Sequence, residues 1–428
     1  MSSVIFAPIT GPGGAVTVLR LSGPGSLPIT AALAGGALPK PRVAALRRLT
    51  WQGRGLDSAL ITTFPAPRSF TGEDCVELSL HGGRAVLAAV SAALLALGAR
   101  PAEPGEFSRR AHANGKLDLL AAEAMADLIA AETEAQRALA LDGAAALQTA
   151  AQSWREALRH ILAQQEALID FPDEDLPPEV EALLLGQITT LRDQLTASLA
   201  AAPAAERLRE GLEFVILGPP NAGKSTLLNA LAGEDVAIVS DIPGTTRDVV
   251  GTRLDLSGIP VRLSDTAGVR DTADALEAEG VRRANARAGV ADLIIAVAAA
   301  PNPVFPATPP GAQVLHVITK ADLFEFAPMG FLAVSAATGE GMDTLRRQLS
   351  AAAARLTETK GAAPLARPRQ AACARDAAEA LTRALALPDP ELRGEELRTA
   401  NTALSRLTGV IGVEEILDAV FSGFCIGK

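Results

Sequence analysis

Gly218-Pro219-Pro220-Asn221-Ala222-Gly223-Lys224-Ser225 is entered by an apolar run at 214–217 and left by a helix-forming run at 226–232. The spacing G-x-x-x-x-G-K-S between a strand and a helix is that of a phosphate-binding loop. Backbone amides of Asn221, Ala222, Gly223 and Thr226 wrap a phosphate, Lys224 is aimed at the β- and γ-phosphates, and the Ser225 hydroxyl is left to hold Mg²⁺. The segment around this loop therefore reads as a nucleotide-binding α/β unit.

At 428 residues the chain is long enough for two to four domains and a sizeable core. Its 39 basic and 49 acidic residues give a formal net charge of -10, which argues against broad, direct nucleic-acid binding. Aromatic residues make up 3% and tyrosine is absent, so base-stacking platforms for single strands are not expected. Cys75, Cys373 and Cys425 are too far apart for C-x-x-C metal spacing and odd in number, which fits a reducing cytoplasm rather than a disulfide framework. The most apolar run, 293–300, is far shorter than the ~20 residues that span a bilayer, so no membrane segment is expected.

Taken in order, residues 1–118 alternate short strands with turns; 15–21, 58–63 and 76–80 read as strands and 84–97 as a helix, a small α+β domain. From 117 the apolar positions follow helical spacing, and alanine-rich helix is expected with few breaks to 169. Phe171-Pro172-Asp173-Glu174-Asp175 stops it, and a second helix is expected over 179–210. Apolar runs at 214–217, 261–264, 293–298 and 314–318 alternate with helical stretches, which implies a parallel, doubly wound sheet. Helical texture returns after Pro368. The expected organisation is 1–118, then helical residues 119–210 and 357–428 on either side of an inserted α/β domain at 211–356.

Three further stretches follow the phosphate loop in the order a guanine-nucleotide site requires. Asp265-Thr266-Ala267-Gly268 ends a strand, where Asp265 can reach Mg²⁺ and the Gly268 amide the γ-phosphate. Asp241-Ile242-Pro243-Gly244-Thr245-Thr246 lies between, with Thr246 the candidate second Mg²⁺ ligand. Thr319-Lys320-Ala321-Asp322 places a carboxylate that can accept both N–H donors of guanine, and Ser335-Ala336-Ala337 completes the base pocket. Together they specify GTP. Val269 occupies the position of a water-orienting glutamine and cannot orient water, so hydrolysis needs another polar group; Asp271, Asp274, Glu277 and Glu279 are available.

With these elements, the stretches Ser69-Phe70-Thr71-Gly72-Glu73-Asp74, His81-Gly82-Gly83, Pro104-Gly105-Glu106-Phe107-Ser108, Lys116-Leu117-Asp118-Leu119 and Phe424-Cys425-Ile426-Gly427-Lys428 resemble the MnmE (TrmE) family nearly end to end. The resemblance implies a folate-binding, dimerising N-terminal domain, a helical domain formed by two chain segments, and an inserted GTPase domain with K⁺-stimulated hydrolysis. It matches Asn221 to a potassium-binding asparagine, completed by backbone of Ser240, Ile242 and Thr245, and selects Glu277 among the acids as the catalytic glutamate. Arg20, Glu77, Lys116 and Lys428 match positions that bind a 5-formyl- or methylene-tetrahydrofolate, and Cys425 matches a cysteine needed for modification. The implied function is addition of a carboxymethylaminomethyl-type group to C5 of the tRNA wobble uridine, with an FAD-dependent MnmG-like partner. Thr319 departs from the family's asparagine, which alters one hydrogen bond at the base or the phosphate loop.

A GTP-dependent RNA or ribosome-assembly switch shares the nucleotide motifs, but needs neither the N-terminal 118 residues nor the cysteine tail. A folate-dependent aminomethyltransferase with a regulatory GTPase insert is a further reading.

Overall fold

The computed structural model describes residues 3–11, 13–170, 178–233, 251–265, 289–323, 331–410 and 427. By compactness the chain divides into two units, Met1–Ala126 with Ser405–Lys428, and Asp127–Leu404.

In the first unit, strands β1 (Ile5–Pro8), β2 (Val16–Ser22), β3 (Ala45–Trp51), β4 (Arg54–Phe64), β5 (Cys75–His81) and β6 (Arg100–Pro101) form one sheet of order β3-β4-β5-β2-β1-β6. All neighbours are antiparallel except β1 and β6. Period-2 alternation sets its faces. Val76, Leu78 and Leu80 of β5 are buried with Leu19, Leu21 and Ile61, together with Leu33 of helix α1 (Ser26–Leu33) and Val90 and Leu94 of helix α2 (Arg84–Ala96). Burying each of these large side chains contributes roughly 1.5–3 kcal/mol. Glu77, Ser79 and His81 alternate with them on β5, and β2 brings Arg20 directly opposite Glu77.

Helix is less continuous over 117–169 than the sequence suggested. After helix α3 (Glu106–Ala113), helix α4 (Leu119–Ala130) ends, helix α5 (Glu134–Ala138) restarts, a π-helical turn follows over Leu139–Gly143, and helix α6 (Ala144–Asp170) completes the run. The break has a local cause: Thr133 and Gln136 form a capping box, which starts a new helix where periodicity alone reads through. Helix α7 (Pro178–Glu210) follows as expected.

Within the second unit, strands β7 (Leu212–Leu217), β8 (Gly251–Leu256), β9 (Ile259–Asp265), β10 (Leu293–Ala299), β11 (Val314–Thr319) and β12 (Leu332–Ala333) form a sheet of order β12-β11-β10-β7-β9-β8. Helices α8 (Lys224–Ala232) and α9 (Met342–Leu356) bury Leu227, Leu231, Leu345 and Leu349 in its core. The sheet is parallel except at one edge, where β8 runs antiparallel to β9. Ser257 and Gly258, with φ of 58° and 87°, make the tight turn that reverses the chain.

Helices α10 (Pro368–Ala386) and α11 (Pro390–Thr408) return to the helical segment before the insertion. Gln165 Nε2 donates to the Pro390 carbonyl at 2.9 Å, and the buried Arg393 donates through Nη2 to Glu181 at 2.7 Å. The helical region is thus built from both sides of the inserted sheet.

Two sequence motifs of the first unit turn out to be one half-buried polar network. Ser22 Oγ donates to Glu73 (2.8 Å), Arg110 pairs with Glu73 (3.0 Å) and Glu106 (3.0 Å), and Arg100 also pairs with Glu106 (2.6 Å). Burial disfavours the charged form of Glu106, but hydrogen bonds from Arg100, the Glu103 amide and Arg110 outweigh it and hold its pKa at about 2, below the ordinary 4.5. A depressed carboxylate pKa stabilises the fold above the unfolded value and ceases to do so as pH falls through the folded one. Glu106→Gln is therefore expected to cost about 2 kcal/mol at pH 7, after allowance for solvent screening. The gap from wild type should narrow in denaturant titrations between pH 4.5 and about 2; a gap unchanged across that window would remove Glu106 from this role.

Candidate functional site

The end of β7 builds the phosphate loop. A Cβ at Gly218 would collide with the Val297 carbonyl on β10, so only glycine lets the chain turn this close to its neighbour. Gly223, with φ of 81°, caps α8 in the left-handed region, and Asn221 reaches φ of 59° with its side chain exposed. The first-turn amides of α8, which have no intrahelical acceptors, face the loop as anion donors.

Lys224 is 8% exposed and donates from Nζ to the Gly218 and Pro219 carbonyls, both at 3.0 Å. Its ammonium is folded back over the loop that would receive phosphate oxygens. β9 pairs in parallel with β7 so that Ile216 lies opposite Asp265, and Ser225 Oγ donates to Asp265 Oδ2 at 2.7 Å. The hydroxyl and carboxylate that the sequence assigned to one Mg²⁺ thus meet, and hard oxygen donors of this kind suit that ion.

The base-recognition stretch emerges at the end of β11. Thr319 is buried and its Oγ1 donates to the Ala222 carbonyl at 2.6 Å, with the Ala298 carbonyl the longer alternative acceptor at 3.3 Å. The hydrogen bond put in question by the loss of asparagine is therefore made by the threonine hydroxyl, toward the phosphate loop. Lys320 has φ of 57°, and Asp322 sits exposed in the 3₁₀ turn Ala321–Leu323. The Ala321 amide donates to the Val334 carbonyl, which brings the buried Ser335 alongside; Ser335 Oγ accepts from Thr338, while Ala337 is exposed and Ala336 half-buried. Ser240, Asp241, Ile242, Pro243, Gly244, Thr245, Thr246, Thr266, Ala267, Gly268, Glu277, Cys425 and Lys428 lie outside the described residues.

A second cluster forms in the first unit. Arg20 donates from Nε and Nη2 to Glu77 Oε1 at 3.1 and 2.8 Å, so the two expected ligand groups neutralise one another. The Arg20 guanidinium lies 5.0 Å from the Phe70 ring centroid and 5.8 Å from that of Phe107. Sequence reading missed this aromatic support, although both phenylalanines stand inside the quoted motifs. Lys116 is exposed, with its stem beside Gly72. Gly427 is buried so close to β1 that a Cβ would strike the Pro8 carbonyl, which places this one residue at the strand beside β2.

Thr319→Val keeps the shape of the side chain and leaves the buried Ala222 carbonyl without this donor. Such a loss costs about 1–2 kcal/mol, so affinity for a fluorescent GDP analogue is expected to fall roughly fivefold to thirtyfold. Unchanged affinity would mean that Thr319 does not support the loop.

Residues 4–116 match the family described as GTP-binding protein TrmE N-terminus, and residues 119–425 match the MnmE helical domain. The chain is 61% identical over 430 residues to the tRNA modification GTPase MnmE of Acidiphilium cryptum, covering 100% of this chain and 99% of that protein. Identity is 51% over 434 residues to the protein of the same name from Gluconacetobacter diazotrophicus, covering 99% and 98%. Among solved structures, the G domain of the T. maritima FeoB iron transporter aligns with 33% of this chain and 98% of its own, at 23% identity and a TM-score of 0.25. With both family domains spanning a chain that carries the complete phosphate loop, the protein belongs to the MnmE (TrmE) family of tRNA modification GTPases, which are GTP hydrolases.

Proposed function

We propose that this protein hydrolyses GTP, stimulated by K⁺, to drive addition of a carboxymethylaminomethyl-type group to C5 of the wobble uridine of tRNA. It acts in the cytoplasm as a homodimer, together with an FAD-dependent MnmG-like partner. The observation that carries the nucleotide half of this reading is the preassembled loop, with Lys224 held at 3.0 Å from two loop carbonyls and Ser225 at 2.7 Å from Asp265. The modification half rests on family membership across the whole chain.

In this reading Lys224 exchanges its loop carbonyls for the β- and γ-phosphate oxygens, and Ser225 and Thr246 hold Mg²⁺. Asp322 selects guanine and Thr319 steadies the loop beneath it. Asn221 holds K⁺ with backbone of Ser240, Ile242 and Thr245; its exposure on the loop supports that role. When bound, the two cations supply positive charge against the charge that develops on the phosphates. Glu277 orients the attacking water in place of the apolar Val269.

The boundaries 1–118, 119–210, 211–356 and 357–428 separate the folate-binding and dimerising domain, the two helical parts and the GTPase domain. Arg20, Glu77, Lys116 and Lys428 bind the tetrahydrofolate that supplies the one-carbon unit, and Cys425 serves the modification step. Arginine or lysine pairs well with glutamyl carboxylates, and a carboxylate with an aminopyrimidine edge. Because Arg20 and Glu77 already share a pair, the ligand has to offer each a replacement partner.

Nucleoside mass spectrometry of tRNA from cells lacking the protein is expected to show wobble uridines without the C5 substituent; unchanged uridines would refute the modification reading. In vitro, hydrolysis should be faster in K⁺ than in Na⁺, and Asn221→Ala should abolish the difference. Equal wild-type rates in the two salts would refute the potassium site.

A further inference from the structure

The β8–β9 hairpin joins two parts of the nucleotide site: β8 begins five residues after Thr246, and β9 ends on Asp265. Its turn, at the other end, is held by helical residues. Ala135 has one of the first-turn amides that α5 itself leaves without an acceptor, and it donates to the Gly258 carbonyl at 3.0 Å. Glu132, just before the capping box, pairs with Arg253 on β8. Gln136 faces both ways: Oε1 accepts from Thr133 in the capping box, while Nε2 donates to the Arg209 carbonyl at 3.0 Å in the last turn of α7. The turn itself is stiffened by Asp255, whose Oδ1 accepts from the Gly258 amide at 2.5 Å.

A second line of contacts runs from α7 to the same strand. Arg207 pairs with Asp292 (2.7 Å), Asp292 Oδ2 accepts from the Glu213 amide (3.0 Å), and Glu213 Oε1 accepts from Ser264 Oγ (2.8 Å), next to Asp265. The two lines border a polar cavity of about 750 Å³, lined by Glu132, Arg207, Arg253 and Asp292 among others. From Gly258 to Asp265 the strand spans roughly 20 Å. β9 is hydrogen-bonded on both sides, to β7 and β8, which ties its turn and its Asp265 end into one sheet.

We propose that Glu132 and the capped first turn of α5 are positioning residues for GTP hydrolysis, acting through the β8–β9 hairpin to set Asp265 against Ser225. By reciprocity, nucleotide and Mg²⁺ at Ser225 and Asp265 bias the contacts that the hairpin turn makes with α5. This rests on the reading of Ser225 and Asp265 as the metal-facing pair. It assigns a role in the GTPase site to helical residues distant from the phosphate loop in sequence.

The test measures GTP hydrolysis by the full chain across a Mg²⁺ titration, with thermal melting alongside, for Glu132→Ala, Arg253→Ala and the swap Glu132→Arg with Arg253→Glu. For a half-exposed ion pair, each single change is expected to raise the Mg²⁺ needed for half-maximal rate about twofold to fivefold. Saturated kcat should change less than that, Tm should stay close to wild type, and the swap should recover the Mg²⁺ dependence. Single variants with wild-type Mg²⁺ dependence, or a shift that the swap does not recover, would overturn the proposal.

Hydrogen exchange of the unsubstituted chain gives a reading that no folding defect can confuse. Amides 134–136 are expected to change protection when Mg²⁺ and a non-hydrolysable GTP analogue bind, and identical exchange would also overturn the proposal. If the wild-type chain shows no Mg²⁺-dependent binding of the analogue, the metal-facing reading itself is what fails.

Discussion

The parallel pairing of β7 with β9 and β10 is the constraint on which the nucleotide site depends. With Ile216 opposite Asp265, the carboxylate arrives beside the first turn of α8, where the Ser225 hydroxyl is 2.7 Å away. On the other flank, β10 puts the Val297 carbonyl where only glycine can pass, so the loop must turn at Gly218. A register slip of one residue would invert every side chain of β9 and bury Ser264 and Asp265 on the wrong faces. The core that fixes this register, including Phe214, Ile216, Leu263, Ile295 and Val297, is buried throughout. Packing behind the sheet thus determines chemistry at its edge, as it does in other open α/β sheets that bind ligands outside the carboxyl ends of their strands.

The same economy of contacts is seen where Thr319 stands in for asparagine. Its single hydroxyl reaches the Ala222 carbonyl and ties the base-recognition stretch to the phosphate loop. Asparagine would offer two donors and an acceptor where threonine has one hydroxyl, and the remaining polar contacts of this position are correspondingly fewer. The acidic net charge of -10 disfavours broad, direct contact with tRNA phosphates.

The phosphate loop and its flanking strand and helix were legible in the sequence because glycine, lysine and serine at fixed spacing have few other physical uses. The strands 212–217, 293–299 and 314–319 were legible as continuous apolar runs, the signature of strands buried on both faces. β8 was not, since its edge position and polar alternation give a weak signal, although Ser257-Gly258 marks the turn. The break before α5 was written in Thr133-Glu134-Ala135-Gln136, yet alanine-rich periodicity on both sides masked it. The Arg20 and Glu77 pair lies 57 residues apart and depends on β2 and β5 being neighbours, which no local pattern states. For the same reason the link from the motif that holds Glu106 to Glu73, made through Arg110, was not legible in the sequence.

In the proposed function, nucleotide chemistry at the phosphate loop drives modification of tRNA. The most direct measurement is the wobble-uridine content of tRNA, by nucleoside mass spectrometry, in cells whose sole copy of this protein carries Lys224→Ala. A folded protein at wild-type abundance is expected, with wobble uridines that lack the C5 substituent. Normal levels of the modified nucleoside in those cells would contradict it.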